Sequence, residues 1–125
     1  MWPIISSDIS VDVRKTDEYV GKVREKLNAA YPGKLKMATF GHLGDGNIHI
    51  GIHVGPNSIE EEQNVERILY DTLKGYNSAV TAEHGIGQVK KKFLPEHVSP
   101  GSMEVMNRLR DALDPDRILN RDVLF

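Results

Sequence analysis

No cysteine occurs in the 125 residues, which removes disulfide staples, thiol nucleophiles, iron–sulfur clusters and cysteine-ligated zinc in one step. Any metal would need histidine and carboxylate ligands. An excess of one charge is also missing. The 16 Lys and Arg face 18 Asp and Glu, a formal net charge of −2, so there is no excess positive charge to neutralise a phosphate backbone and nucleic acid is not an expected partner. The one basic run, Lys90, Lys91 and Lys92, reads as a solvated face. No apolar run approaches the roughly 20 residues of a membrane span. The opening Met1-Trp2-Pro3-Ile4-Ile5 is too short for a signal peptide and reads as a ragged start; if the chain is cut from a longer one, a targeting signal lies in the missing part. Neither Gly-x-x-x-x-Gly-Lys-Ser/Thr nor Gly-x-Gly-x-x-Gly occurs, so no segment is suited to holding a dinucleotide by itself.

What is present suits one ordinary domain. Apolar residues make up 39% of the chain, and a globule of this length buries roughly two thirds of its unfolded surface. Ile9, Val11 and Val13 alternate with Ser10, Asp12 and Arg14, the period of a half-buried strand. Thr16 is placed to cap a helix carrying Val20, Val23, Leu27, Ala30 and Tyr31 at helical spacing, which Pro32-Gly33 stops. Strands are expected from about Leu35 to His42 and from about Asn47 to Val54, joined through Asp45-Gly46, a strong hairpin signal. Ser58 and Glu61 have capping-box spacing ahead of a stripe of Val65, Ile68, Leu69, Thr72, Leu73 and Tyr76. Gly75 ends that helix near a short strand, Ser78 to Ala82. Ser99-Pro100 starts a last helix with Met103, Met106, Leu109 and Leu113, its methionines read as core filler, and Asp114-Pro115 terminates it. Strand, helix, strand, strand, helix, strand is the ferredoxin-like α+β arrangement, here with a C-terminal helix added. Fold alone settles no function.

The informative segment is Gly41-His42-Leu43-Gly44-Asp45-Gly46-Asn47-Ile48-His49. With Asp45 and Gly46 as a two-residue turn, His42 faces His49, and opposed residues in a hairpin have Cβ atoms about 4.5–5.5 Å apart on one face. Two imidazoles could then share one ion. In that register Leu43, Thr39 and Met37 pair with Ile48, Ile52 and Val54 in an apolar layer, and Phe40 lies opposite Gly51, leaving room for a small ligand. A four-residue loop would instead set His42 opposite Asn47. The plainer reading is two hydrogen-bonded histidines beside a tight turn. His53 reads as peripheral, and His97, in a Pro-flanked loop, as uninvolved.

A second segment, Glu83-His84-Gly85-Ile86-Gly87, sets a carboxylate next to an imidazole after the short strand. One of the two can bind a metal while the other faces a substrate, and two histidines with one carboxylate form an open ligand set for zinc, iron(II) or manganese. The plainer reading is a helix start with a glycine turn. Pairing Asp45 with Glu83 as glycosidase carboxylates is disfavoured, because the turn needs Asp45.

Together GHLGDGNIH (Gly41 to His49), EHGIG (Glu83 to Gly87) and DPDRILN (Asp114 to Asn120) resemble the C-terminal signature of the FAD-linked oxidases. This family groups D-lactate dehydrogenases, glycolate oxidase flavoprotein subunits and D-2-hydroxyglutarate dehydrogenases within the vanillyl-alcohol oxidase superfamily. The resemblance runs from about Asp8 onward. It implies that residues 1–125 are the C-terminal part of a substrate domain, with an N-terminal FAD-binding domain absent from this chain. It also implies that His42, His49 and Glu83 hold a divalent metal, commonly zinc, that His84 takes the proton from a substrate hydroxyl, and that Asn120 lies near the flavin. The implied reaction is oxidation of a D-2-hydroxy acid to a 2-oxo acid with hydride transfer to FAD. Gly51 stands where the 2-hydroxyglutarate enzymes carry Asn, which points to a lactate or glycolate type of substrate. Leu119-Asn120-Arg121-Asp122-Val123 departs from the usual Leu-Asn-Pro-Gly-Lys ending.

By the same resemblance the fragment alone is expected to be inactive, and the whole protein cytoplasmic, or mitochondrial in a eukaryote. A homodimer stays open. In a strict ferredoxin-like sheet the β2–β3 turn and the end of the fourth strand lie at opposite ends, about 17 Å apart, so a shared site requires that strand to be short or displaced. The alternatives are a non-catalytic metal- or small-ligand-binding module using the same histidines, and a structural domain whose histidines are incidental.

Overall fold

A computed structural model describes residues 3–42, 44–56 and 58–123. They fall into two compact units, Met1–Glu83 and His84–Phe125. In the first unit, strand β1 (Ile5–Val11) is followed by helix α1 (Thr16–Ala30), strands β2 (Lys36–His42) and β3 (Asn47–His53), helix α2 (Ile59–Leu73) and strand β4 (Ser78–Ala79). The antiparallel sheet has the order β2-β3-β1-β4. This is the ferredoxin-like α+β fold the element order predicts.

One sheet face is apolar because the strands alternate. Ile5, Ile9 and Val11 of β1 and Ile48, Ile50 and Ile52 of β3 are buried with Tyr19, Val23 and Leu27 of α1 and Val65, Leu69 and Leu73 of α2. Burying a side chain of this size stabilises by about 1.5–3 kcal/mol. The fully buried Tyr19 donates its hydroxyl to the Leu69 carbonyl at 3.1 Å, tying the two helices. α2 begins with the expected capping box: Glu61 N–H donates to Ser58 Oγ and Ser58 N–H to the Glu61 carboxylate.

Several boundaries differ from the sequence reading. β1 starts at Ile5, which is buried and pairs with Ile52, so this residue is not part of a ragged start; Met1 and Trp2 lie outside the described residues. The strand stops at Val11. Asp12 then accepts from the Arg14 N–H and caps a 3-10 turn over Val13–Lys15, leaving Val13 exposed. Thr16 is therefore the first residue of α1 and not its cap.

The second unit contains two four-residue helices, α3 (Gly87–Lys90) and α4 (Leu94–His97), linked by a 3-10 turn at Lys91–Phe93, and then α5 (Pro100–Leu113). His97 ends α4, where a loop was expected. Ser99 caps α5 by accepting from the Ser102 N–H. The methionine stripe of α5 is not core filler: no residue of this helix is buried, and Leu109 and Leu113 are exposed. Asp114 closes the helix, and its carboxylate accepts from the Ile118 and Leu119 N–H groups at 3.0 Å each. That gives the Asp of DPDRILN a structural task.

Candidate metal centre

The hairpin register is the one given by a four-residue loop. His42 pairs with Asn47, Phe40 with His49 and Ala38 with Gly51, so the direct His42–His49 opposition expected from a two-residue turn is corrected. Local chemistry explains the wider loop. The Asp45 carboxylate accepts from the Asn47 N–H at 3.2 Å, and the Gly46 carbonyl accepts from the Val11 N–H at 3.1 Å, which spends the turn on β1. Gly46 has φ +71, and a Cβ there would sit 2.1 Å from the Val11 carbonyl oxygen. Leu43, expected to pair with Ile48, lies outside the described residues.

The slip amounts to two residues, and side chains alternate with period two, so it leaves the faces intact. His42 and His49 remain on the open face as diagonal neighbours, with ring centroids 6.0 Å apart. The space expected beside the imidazoles is partly filled by Phe40, whose ring stacks on His49 at 5.3 Å.

Glu83 joins them. His42 Nε2 lies 3.3 Å and His49 Nε2 3.6 Å from Glu83 Oε1, and one donor atom from each residue lies within 4.8 Å of the other two. An ion at 2.0–2.2 Å from each donor needs separations below about 4.4 Å. Both His–Glu distances meet that limit. The donor set also fits, since two neutral imidazoles and a carboxylate suit zinc, iron(II) or manganese. β4 is two residues long, as a shared site requires.

Two residues of the site carried no assignment in the sequence reading. Asn47 donates its Nδ2 to Glu83 Oε1. Asp8 accepts from the Thr81 hydroxyl and from the Ala82 and Glu83 N–H groups. Asn47 sits within the hairpin string, but no motif or spacing in the sequence singles out Asp8. His53 is apart from the cluster, with Nδ1 3.0 Å from the Pro3 carbonyl oxygen.

His84 is exposed and opens the second unit, one peptide after Glu83. Asn120 is exposed, has φ +45, and lines a cavity of about 320 Å³ with Met106, Leu109, Arg110, Leu113, Asp114 and Leu119. Among the described residues no helix is long and apolar enough to cross a membrane.

The first unit is thus a ferredoxin-like α+β unit bearing a two-histidine, one-carboxylate cluster. Residues 2–124 match the family model described as FAD linked oxidases, C-terminal domain, and the chain belongs to that family. It is 30% identical over 130 residues to a D-2-hydroxyglutarate dehydrogenase of Stutzerimonas stutzeri, covering 99% of this chain and 28% of the relative. It is 34% identical over 125 residues to the mitochondrial D-lactate dehydrogenase [cytochrome] of Kluyveromyces lactis, covering 98% and 21%. Against the mitochondrial D-2-hydroxyglutarate dehydrogenase of Bos taurus the values are 33% over 113 residues, 90% and 20%. The chain thus spans between a fifth and under a third of the length of these relatives.

Proposed function

We propose that this chain is the C-terminal part of the substrate domain of a flavin-dependent enzyme that oxidises a D-2-hydroxy acid to the 2-oxo acid, with FAD held mainly by a domain outside this chain. The observation that carries the reading is the convergence of His42, His49 and Glu83 within a family of FAD-linked oxidases. These three residues would hold a divalent cation, with zinc the first candidate. When bound, such a cation polarises a hydroxyl and FAD accepts hydride. His84 is the proton acceptor for the substrate hydroxyl, a task suited to imidazole as a residue type, and Asn120 faces the flavin.

The proposed substrate is a small one of the lactate or glycolate type, on the ground of Gly51. A Cβ at Gly51 would meet only ordinary contacts, the nearest at 3.5 Å from Ile4, so packing does not demand glycine, and its presence withholds a polar side chain from the floor beside His49. The cytosol, or the mitochondrion in a eukaryote, is the proposed compartment.

The test uses the whole protein with an artificial electron acceptor and D-lactate, glycolate and D-2-hydroxyglutarate as substrates. His49→Ala lowers metal content and turnover together. His84→Ala lowers turnover by about 10²–10⁴-fold with the metal retained. Full turnover in metal-free protein would return the cluster to an ordinary polar face.

A further inference from the structure

Asp8 stands on the open face of the sheet, yet only 1% of it is exposed. Its Oδ2 accepts three hydrogen bonds from one short segment: Thr81 Oγ1 at 2.9 Å, Ala82 N–H at 2.8 Å and Glu83 N–H at 2.7 Å. Hydrogen bonds to a carboxylate are roughly twice as strong as neutral ones.

The sheet register shows what these bonds replace. β4 pairs Ala79 with Ser10 and Ser78 with Val11 and then ends. Continued as a ladder, it would run Thr81 beside Asp8 and carry Glu83 past it to Ser6. The histidine cluster lies the other way, because β3 sets His49 across from Asp8 and Asn47 across from Ser10. The N–H groups of Ala82 and Glu83 turn to Asp8 instead, and the chain crosses the face toward His49. Asn47, itself buried, then holds the carboxylate by donating Nδ2 to Glu83 Oε1, while its own buried Oδ1 has no hydrogen-bond partner among the described residues.

We infer that Asp8 is a positioning residue for Glu83: it gathers residues 81–83 over the sheet so that the Glu83 carboxylate meets both imidazoles. This rests on the reading of His42, His49 and Glu83 as a cation site. Asp8 also satisfies the Ala82 and Glu83 N–H groups, so its loss costs stability as well as geometry, and a variant destabilised elsewhere separates the two.

The experiment measures Co²⁺ affinity and amide hydrogen exchange on the whole protein. Asp8→Ala lowers Co²⁺ affinity by about 10–100-fold, the usual cost of losing an outer support of a metal ligand, and removes exchange protection at Ala82 and Glu83. Asp8→Asn keeps an acceptor oxygen without the charge, so it falls between, and it carries the comparison if Asp8→Ala does not fold. Val23→Ala, a cavity in the buried face of α1, lowers stability and leaves Co²⁺ affinity within about twofold, since distant sites act independently. Wild-type protection of these amides in Asp8→Ala, no loss of protection at all in Asp8→Asn, or an affinity loss no larger than that of Val23→Ala, overturns the inference. Wild-type protein that takes up no Co²⁺ overturns the cation reading instead. The exchange measurement then decides alone whether Asp8 holds Glu83.

Discussion

Glu18, on the exposed side of α1, shows how one carboxylate can gather a small network. It accepts from Lys22 at 2.7 Å, Lys15 at 2.9 Å and the Tyr76 hydroxyl at 3.0 Å, and these bonds hold its pKa at about 2, against an ordinary 4.5. A depressed carboxylate contributes stability that is fully present above pH 4.5 and lost as pH falls through about 2. We expect the Glu18 carboxyl resonance to titrate near pH 2 and Lys22→Met to move its midpoint upward. Screening keeps the effect on global stability small, because the group is exposed. Glu83 differs in kind: one oxygen meets Asn47 and two imidazoles, a local concentration of ligating groups that the fold has assembled from three separate segments.

At the scale of the element, the hairpin is set by two glycines with different tasks. Gly46 lets the turn lie against β1. Gly41 admits the facing backbone, since a Cβ there would lie 2.1 Å from the Asn47 carbonyl oxygen. Gly41→Ala must push β2 away from β3 beside His42. We expect it to cost about 1–3 kcal/mol, as overpacking does, measured by urea unfolding, and to weaken Co²⁺ binding as well. Unchanged stability would mean that the strands separate freely at this point. The motif glycines of EHGIG are legible in the same way, since Gly85 and Gly87 both have positive φ.

For the whole molecule, the family match and the short span relative to the relatives bear on what the 125 residues can do alone. The sequence has neither Gly-x-x-x-x-Gly-Lys-Ser/Thr nor Gly-x-Gly-x-x-Gly, so on the proposed function we expect this chain, expressed by itself, to lose any flavin on dialysis and to be colourless, and the whole protein to be yellow. The second unit also exposes apolar side chains. Leu109, Leu113, Ile118 and Leu119 are each more than half exposed, Leu113 at 79%, and apolar patches of this kind mark interaction surfaces. Sedimentation of the isolated chain should show concentration-dependent association, relieved by Leu113→Glu. A monomer at all concentrations would count against an interface on α5.

The alternation of Ile9 and Val11 with polar residues, the Ser58–Glu61 capping box and the Ser99-Pro100 helix start are short-range features, so the sequence by itself determined the element order and with it the ferredoxin-like fold. It also determined the shared face of His42 and His49, because a period of two survives a two-residue slip in register. The loop length was not legible: it depends on the Val11 N–H taking the Gly46 carbonyl, a contact between strands far apart in the chain. The task of Asp8 was hidden for the same reason. Nothing in the sequence marks its side chain, and only tertiary structure could bring groups 73 to 75 positions further along the chain back onto one carboxylate oxygen. Pattern sets faces, and long-range hydrogen bonding decides which groups on those faces meet.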